Sequence, residues 1–261
     1  MIAAAEAMGA LLVRDLRAFL RSRSQLYSSV LFPLMLLAIL GTGVSEGLDP
    51  ENIDDYVTFL TPGMIVMTAV FSSTFSSASY YHDRDSGILK VFLASPHSPP
   101  VILLGKTLSA VVIGMAQAVL VLAVAIVIPA INFEWQYGVL RSLALAGFAI
   151  VTLNLFLSGL GQLLAQRIRT MQGFHLVMNL VLFPALFLSG AFFPLGDLPV
   201  WLRVLGAVNP LSYAVDLLQL ALYAPDSDGY FGVAVDVIVL TALAGAAFSF
   251  AANRPVRPEA A

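Results

Sequence analysis

The chain has 261 residues, 59% hydrophobic and 11% charged, with a net charge of −3. A water-soluble domain is about 25% charged, so this chain has too little polar surface to cover itself in water, and lipid is the solvent that suits it. The absence of cysteine excludes disulfides, thiolate metal sites and cysteine nucleophiles, and so small a net charge offers nothing to attract nucleic acid.

In chain order, residues 1–25 form a cytoplasmic N-terminal segment. Leu12, Leu16, Phe19 and Leu20 fall on one helical face, and Arg14, Arg17 and Arg21 fall on the opposite one. That pattern predicts an amphipathic helix lying in the membrane surface with its arginines toward phosphate head groups; the alternative is a solvated helix leading into a span. Four arginines between Arg14 and Arg23, with no small-residue cleavage pattern after the first apolar run, argue against a cleavable signal peptide. A span needs about 20 apolar residues to cross a hydrocarbon core of about 30 Å. Six stretches qualify: residues 26–44, 56–80, 101–130, 139–165, 173–193 and 231–252. Residues 26–252 therefore read as an all-α integral membrane domain of six transmembrane helices.

Residues 198–223 are also apolar, but Asn209-Pro210 divides them. Proline removes a helix donor and disfavours helix in the residue before it, which leaves two pieces too short to cross. They predict a re-entrant helical pair on the outer side, spanning residues 196–223 and sheltered by the other helices. Residues 253–261, with Pro255 and Pro258, predict a disordered cytoplasmic tail.

Lysine and arginine set the orientation. With a cytoplasmic N-terminus, the inner segments hold Arg14, Arg17, Arg21, Arg23, Arg84, Lys90, Lys106, Arg167, Arg169, Arg254 and Arg257, and the outer segments only Arg141 and Arg203. Glu46, Asp49, Glu51, Asp54 and Asp55 crowd the first outer loop. A seventh continuous span would carry Arg254 and Arg257 outside, so the charges favour six spans and two cytoplasmic termini.

The most polar inner connector, residues 81–96, places charges around Gly87, then the apolar run Ile88-Leu89-Val91-Phe92-Leu93, then Ser95-Pro96. That run is too short to span and too apolar to face water. It is either a docking element for a partner or a loop folded onto its own helix ends.

The acid-Arg-x-x-Gly-x-Leu-x-x-x-x-x-Ser-Pro arrangement beginning at Asp83, followed by Leu103-Leu104-Gly105-Lys106, resembles the permeases of type-2 ABC exporters. A second set resembles them too: Phe183-Pro184, Ser189-Gly190, Phe193-Pro194, Leu198-Pro199 and Asn209-Pro210-Leu211 in that order. The daunorubicin-resistance permeases and the nodulation-factor exporters come nearest, and the resemblance covers almost the whole chain. It implies a dimer of permease subunits, most simply two copies of this chain, in a bacterial or archaeal inner membrane. Each subunit would be bound to an ABC ATP-binding subunit that carries ATP and magnesium, with no cofactor in this chain. Asp83, Arg84, Asp85, Gly87 and Lys90 would make the contact with that ATPase. Pro199, Asn209 and Pro210 would shape the outer element that closes the exit. The path would lie between subunits, lined by the first, second and fifth spans. One departure is Gln219, which stands where many relatives carry an arginine.

Gly105-Lys106-Thr107 is not the end of a phosphate-binding loop, because Pro100 occupies the position of the required earlier glycine. Lys106 instead reads as a residue snorkelling to the inner interface. Gln117, Asn154, His175 and Asn179 lie within spans. Interhelical hydrogen bonding, worth about 0.6 kcal/mol each, is the plainer role for such residues. His175 and Asn179, four apart on one face, and Ser73 and Ser76, in the serine-rich second span, are also candidates for the translocation path. The competing class is an ion-coupled transporter or channel, but such proteins carry acids or bases deep in the membrane, and Lys106, Arg141 and Asp236 lie near span ends. His82, His97 and His175 are too scattered for a metal site or a catalytic set.

Overall fold

The computed structural model describes residues 2–45, 53–89, 99–128, 131, 133, 135, 137–223 and 229–252. Glu46, Asp49 and Glu51, Lys90 with the rest of the inner connector, and the tail from residue 253 lie outside the described residues. Every regular element among those described is helical. They are α1 (Ile2–Arg21), α2 (Arg23–Leu26), a π-helical turn (Tyr27–Leu31), α3 (Phe32–Ser45), α4 (Ile53–Asp85), α5 (Pro99–Val127), α6 (Val139–Ala165), α7 (Met171–Phe187), a 3-10 turn (Leu195–Asp197), α8 (Val200–Val208), α9 (Pro210–Leu222) and α10 (Val233–Ala252).

Five stretches are long and apolar enough to cross a membrane: Arg23–Gly41, Tyr56–Asp85, Val101–Val127, Val139–Ala165 and Val233–Phe250. Large apolar side chains such as Leu140, Val127, Leu180 and Ile238 are exposed on the outside of the bundle, as befits a surface that meets lipid. The predicted fourth span coincides with α6, whereas the fifth does not hold as drawn. α7 stops at Phe187 and the chain turns at Gly190, whose φ of 84° suits glycine. Seventeen residues rise about 25 Å, short of the hydrocarbon thickness. The apolar residues after Phe187 had made the span look longer than its helix.

α4 is the central pillar. It packs against α3, α5, α6, α7 and α9 and is almost wholly buried. Small and polar residues let its neighbours come close, the usual device where lipid removes the hydrophobic drive between helices. Ser73 donates to Asn154 of α6 at 3.1 Å, and Asn154 in turn donates to the Ile150 carbonyl at 2.8 Å. A Cβ on Gly161 of α6 would lie 1.9 Å from the Ser77 hydroxyl. Gln117 of α5 donates to Ser29 at 2.6 Å, and Gln162 of α6 to Thr107 at 3.1 Å. Gln117 and Asn154 thus act as interhelical glue.

α8 and α9 meet at 90°. Asn209 caps α9 through a 3.1 Å hydrogen bond from the Leu211 amide, Pro210 takes the first helical position, and Tyr213 donates to the Ala207 carbonyl across the bend at 2.6 Å. Pro199 precedes α8, whose Val200, Trp201, Val204 and Val208 are exposed. α9 is instead buried on nearly every side, against α4, α6 and α10. Asp216 on α9 accepts the Tyr230 and Phe231 amides at 2.9 Å each. The fully buried Asp236 of α10 faces Asp216, and neither of its oxygens has a hydrogen-bond donor among the described residues.

The α4–α6 contact has no spare room. Gly161→Val is expected to destabilise the detergent-solubilised protein by about 1–3 kcal/mol, the usual cost of overpacking, read as a lowered Tm. Adding Ser77→Gly should recover part of that loss.

Candidate functional site

The buried face of α1 differs from the sequence expectation. Leu11, Asp15 and Phe19 point inward while Leu20 is exposed and Leu12 and Leu16 are half-buried. These three recur every fourth residue, so they form one stripe, and it carries an acid. α1 lies on α5, where Gly105 admits Leu11: a Cβ there would sit 3.0 Å from the leucine Cδ1. That close approach brings Asp15 to the base of α5.

Lys106, the residue after Gly105, has no exposure to solvent. It does not snorkel. Its ammonium pairs with Asp83 at the end of α4, donates to the Ser79 hydroxyl at 3.0 Å and lies 3.5 Å from Asp15. Arg14 closes the cluster. Its guanidinium grips Asp83 with two contacts, 2.6 and 3.3 Å, and Asp15 with two more, 2.7 and 3.0 Å. Burial alone would lower the Arg14 pKa, but the hydrogen bonds to Asp83 and Asp15 outweigh it and hold the group above its ordinary value. Two cations and two anions thus cancel at the junction of α1, α4 and α5.

Asp83 is therefore an internal residue, 5% exposed, with its carboxylate turned into the chain. Arg84, next to it, is directed at another element. It donates to the Ala165 carbonyl and, at 3.0 Å, to the Ile168 carbonyl, and its guanidinium lies 4.8 Å from the centre of the Tyr81 ring. The Ala165 carbonyl ends α6, where the helix dipole favours a cation, and the Ile168 carbonyl belongs to the turn that follows. Tyr81 adds a 2.5 Å hydrogen bond to the Arg169 carbonyl and stacks on Phe174. The last turn of α4 is clamped from two sides, by α1 and α5 through Asp83 and by the 165–170 turn through Arg84.

Beyond the clamp the surface opens. Asp85, Ser86 and Ile88 are exposed, whereas Leu89 is 2% exposed and joins the core. Gly87 caps α4 with φ of 76°, its amide donating to the Arg84 carbonyl at 3.2 Å. A Cβ at Gly87 would meet nothing within 4 Å, so backbone conformation and not space demands glycine there.

The predicted path residues do not come together. Ser73 is consumed by Asn154. Ser76, on a different face of α4, lines a cavity beside Asp15. His175 is half-buried against Phe174 and Asn179 is exposed, both on the outer surface of the subunit. Asp15 and Lys106 are the members of the charge cluster that sequence reasoning missed. The available signals were an acid on the apolar stripe of α1 and a lysine at the mouth of a span with no acid on its own helix.

A profile of the family described as ABC-2 type transporter matches residues 6–223. “Probable multidrug ABC transporter permease YbhR” of Escherichia coli K12 is 32% identical over 196 residues, 74% of this chain and 51% of that protein. This chain thus spans about half the length of YbhR. “Daunorubicin resistance ABC transporter permease protein DrrB1” of Streptomyces coeruleorubidus is 26% identical over 208 residues, 77% of this chain and 69% of its own. “Nodulation protein J” of Rhizobium meliloti 1021 is 25% identical over 188 residues, 70% and 69%.

Removing one member of a buried ion pair strands its partner's charge, at a cost of about 3–5 kcal/mol. Lys106→Met alone should therefore lower Tm in detergent sharply. The double variant Lys106→Met with Asp83→Leu should recover most of the loss, and a double variant no better than the single would contradict the pairing.

Proposed function

Because the chain belongs to the ABC-2 type transporter family, we propose that it is the membrane subunit of an ATP-driven exporter that moves a lipophilic or amphipathic molecule out of the cytoplasm or the inner leaflet. The observation that carries this reading is the clamped end of α4. A force applied at Asp85, Ser86, Gly87 and Ile88 reaches a buried helix that touches five others. Asp83 and Arg84 brace that tip from inside, and Asp85 and Gly87 are the members of the predicted contact set that face outward; Lys90 completes the set. ATP and magnesium belong, on this reading, to a separate ABC ATP-binding subunit docked there.

The second copy of the chain would pair through outward-facing surfaces. α7 offers Leu176, Asn179, Leu180 and Phe187, and α3 offers Met35 and Ile39, which fits a path between subunits. The bent α8–α9 pair would close its outer end, with Pro199, Asn209 and Pro210 holding the bend and the exposed apolar face of α8 resting in the interface. The substrate class follows from the scarcity of charge inside the bundle. Both termini would be cytoplasmic, in the inner membrane of a bacterium or archaeon. The ion-coupled alternative is weakened by the clamp itself, since Asp15, Asp83 and Lys106 neutralise one another at one end of the bundle.

Asp85→Lys and Gly87→Pro should each cut substrate-stimulated ATP hydrolysis by the reconstituted complex roughly tenfold, within the usual range of coupling free energies, while the permease still reaches the membrane. Proline cannot adopt the positive φ of residue 87. Unchanged stimulation in both variants refutes the docking role. For orientation, Asp197→Cys should react with an impermeant thiol reagent on intact cells, and Ser86→Cys only after the membrane is opened; the reverse order would invert the reading.

A further inference from the structure

At the opposite end of the bundle from the charge cluster, two acids meet. Asp236 stands in the first turn of α10, has no exposure to solvent, and neither of its oxygens meets a donor among the described residues. The carboxyl it reaches is that of Asp216 on α9. Asp216, 5% exposed, accepts the Tyr230 and Phe231 amides at 2.9 Å, one on each oxygen. It also borders a partly open cavity of about 220 Å³ between α9 and the turn at residues 189–196, along with Ser212, Gln219, Tyr223 and Tyr230.

The cations of the chain are spent elsewhere. Residues 46–55, 129–136 and 224–228 contain no lysine or arginine. On α4, α5 and α7, Arg84, Lys106 and His175 belong to the clamped end. Arg141 of α6 is exposed, 5.0 Å from the centre of the Tyr137 ring, and Arg203 of α8 donates to the Gly196 and Leu198 carbonyls at 2.7 and 3.2 Å. The phenol nearest Asp236, that of Tyr213, donates to the Ala207 carbonyl. A calcium or magnesium ion takes about six oxygen ligands, and no third acid or histidine joins the two aspartates among the described residues. A proton needs only two oxygens, one to carry it and one to accept it. The dipole of α10 favours charge at Asp236, but a second buried carboxylate in contact opposes it, and of two such groups one keeps its proton.

We propose that Asp216 and Asp236 bind one proton between them, carried on Asp236 and donated to Asp216, and that this shared proton fastens α9 to the start of α10. Without it, two buried anions would face each other and push the helices apart. An aspartate in the unfolded chain is ionised at neutral pH. Rising pH therefore takes a proton from the folded state alone and lowers its stability. The site is independent of the exporter reading; only its meaning as a fastening of the element that closes the exit rests on that reading.

The test uses the full chain alone in phosphatidylcholine nanodiscs, with carbon-13 in its aspartate side-chain carboxyls. Infrared spectra at neutral pH are expected to show the C=O stretch of an un-ionised aspartic acid, shifted by the label and lost as the pH is raised. Asp15 and Asp83, paired with cations, give no such band. Asp236→Asn keeps an N–H donor toward Asp216. It should abolish the band, melt near the wild type at neutral pH, and lack the fall in Tm that the wild type shows as pH rises. Absence of the band from the wild type, its survival in Asp236→Asn, or parallel Tm curves for the two proteins overturns the proposal. So does a wild-type Tm that calcium raises and a chelator lowers without the band, which would assign the pair to a metal ion. Should Asp236→Asn fail to fold, the wild-type band and its loss with rising pH decide alone. Because no ATPase is present, failure here leaves the exporter reading intact. Failure of the Asp85 and Gly87 variants to uncouple would likewise leave this site standing.

Discussion

A lysine with no access to solvent governs the cytoplasmic end of this protein. Lys106 sits where α5 begins, and nothing on its own helix neutralises it. Burying such an ammonium costs several kcal/mol unless acids and hydrogen bonds meet it. The two acids that do so come from elements far apart in sequence, α1 and α4. The requirement to satisfy one cation thereby fixes three helices relative to one another. It also sets the position of the α1 stripe, the depth of Gly105 against Leu11, and the point at which α4 emerges. Arg14 makes the arrangement neutral, and only that neutrality lets it persist away from water.

Farther into the bundle the same problem is met by different means. Charges give way to single hydroxyls and carboxamides, Ser73 with Asn154, Gln117 with Ser29 and Gln162 with Thr107. Each is worth little alone, but each requires helices to approach closely, and Gly161 and Gly114 provide that closeness. Dispersion between helices held this near supplies what lipid exclusion cannot. Toward the other end, the pair Asp216 and Asp236 has no ion-pair partner among the described residues, and Asp216 spends its oxygens on backbone amides. Gln219, in the same helix, reaches the Gly190 carbonyl at 3.3 Å. The two ends of the molecule are thus built on opposite electrostatic plans.

Much of the architecture was legible in the residues. Length and apolarity alone locate α6 to the residue, and Asn209-Pro210 announces the 90° bend because proline chemistry is local. Misreadings arose where an apolar sequence does not mean an apolar span. Leu188, Ala191, Phe192 and Phe193 prolong the hydropathy of α7, yet they sit in a turn, and a turn made of apolar side chains leaves no mark in composition. The face of α1 was misassigned for a related reason. In lipid the outward side is itself apolar, so Leu20 can point away while Asp15 points in, and polarity ceases to label the inside. The charge cluster was hidden because Arg14 and Asp83 lie 69 positions apart along the chain and no local pattern links them to each other or to Lys106. For the candidate contact residues, the sequence named Asp83, Arg84, Asp85 and Gly87 together. Side-chain direction separates them, and a list of neighbours along a helix end carries no such information.

Gly87 sits at the boundary between the clamped and the open parts of the connector. Its φ of 76° turns the backbone out of the helical path just where bracing ends, with empty space around its Cα. The direction in which the chain leaves α4 is consequently set by the backbone conformation of this one residue. Leu89, two positions on, returns to the core at 2% exposure, so the outward turn is pinned fore and aft, by the ion cluster before it and by this leucine after it.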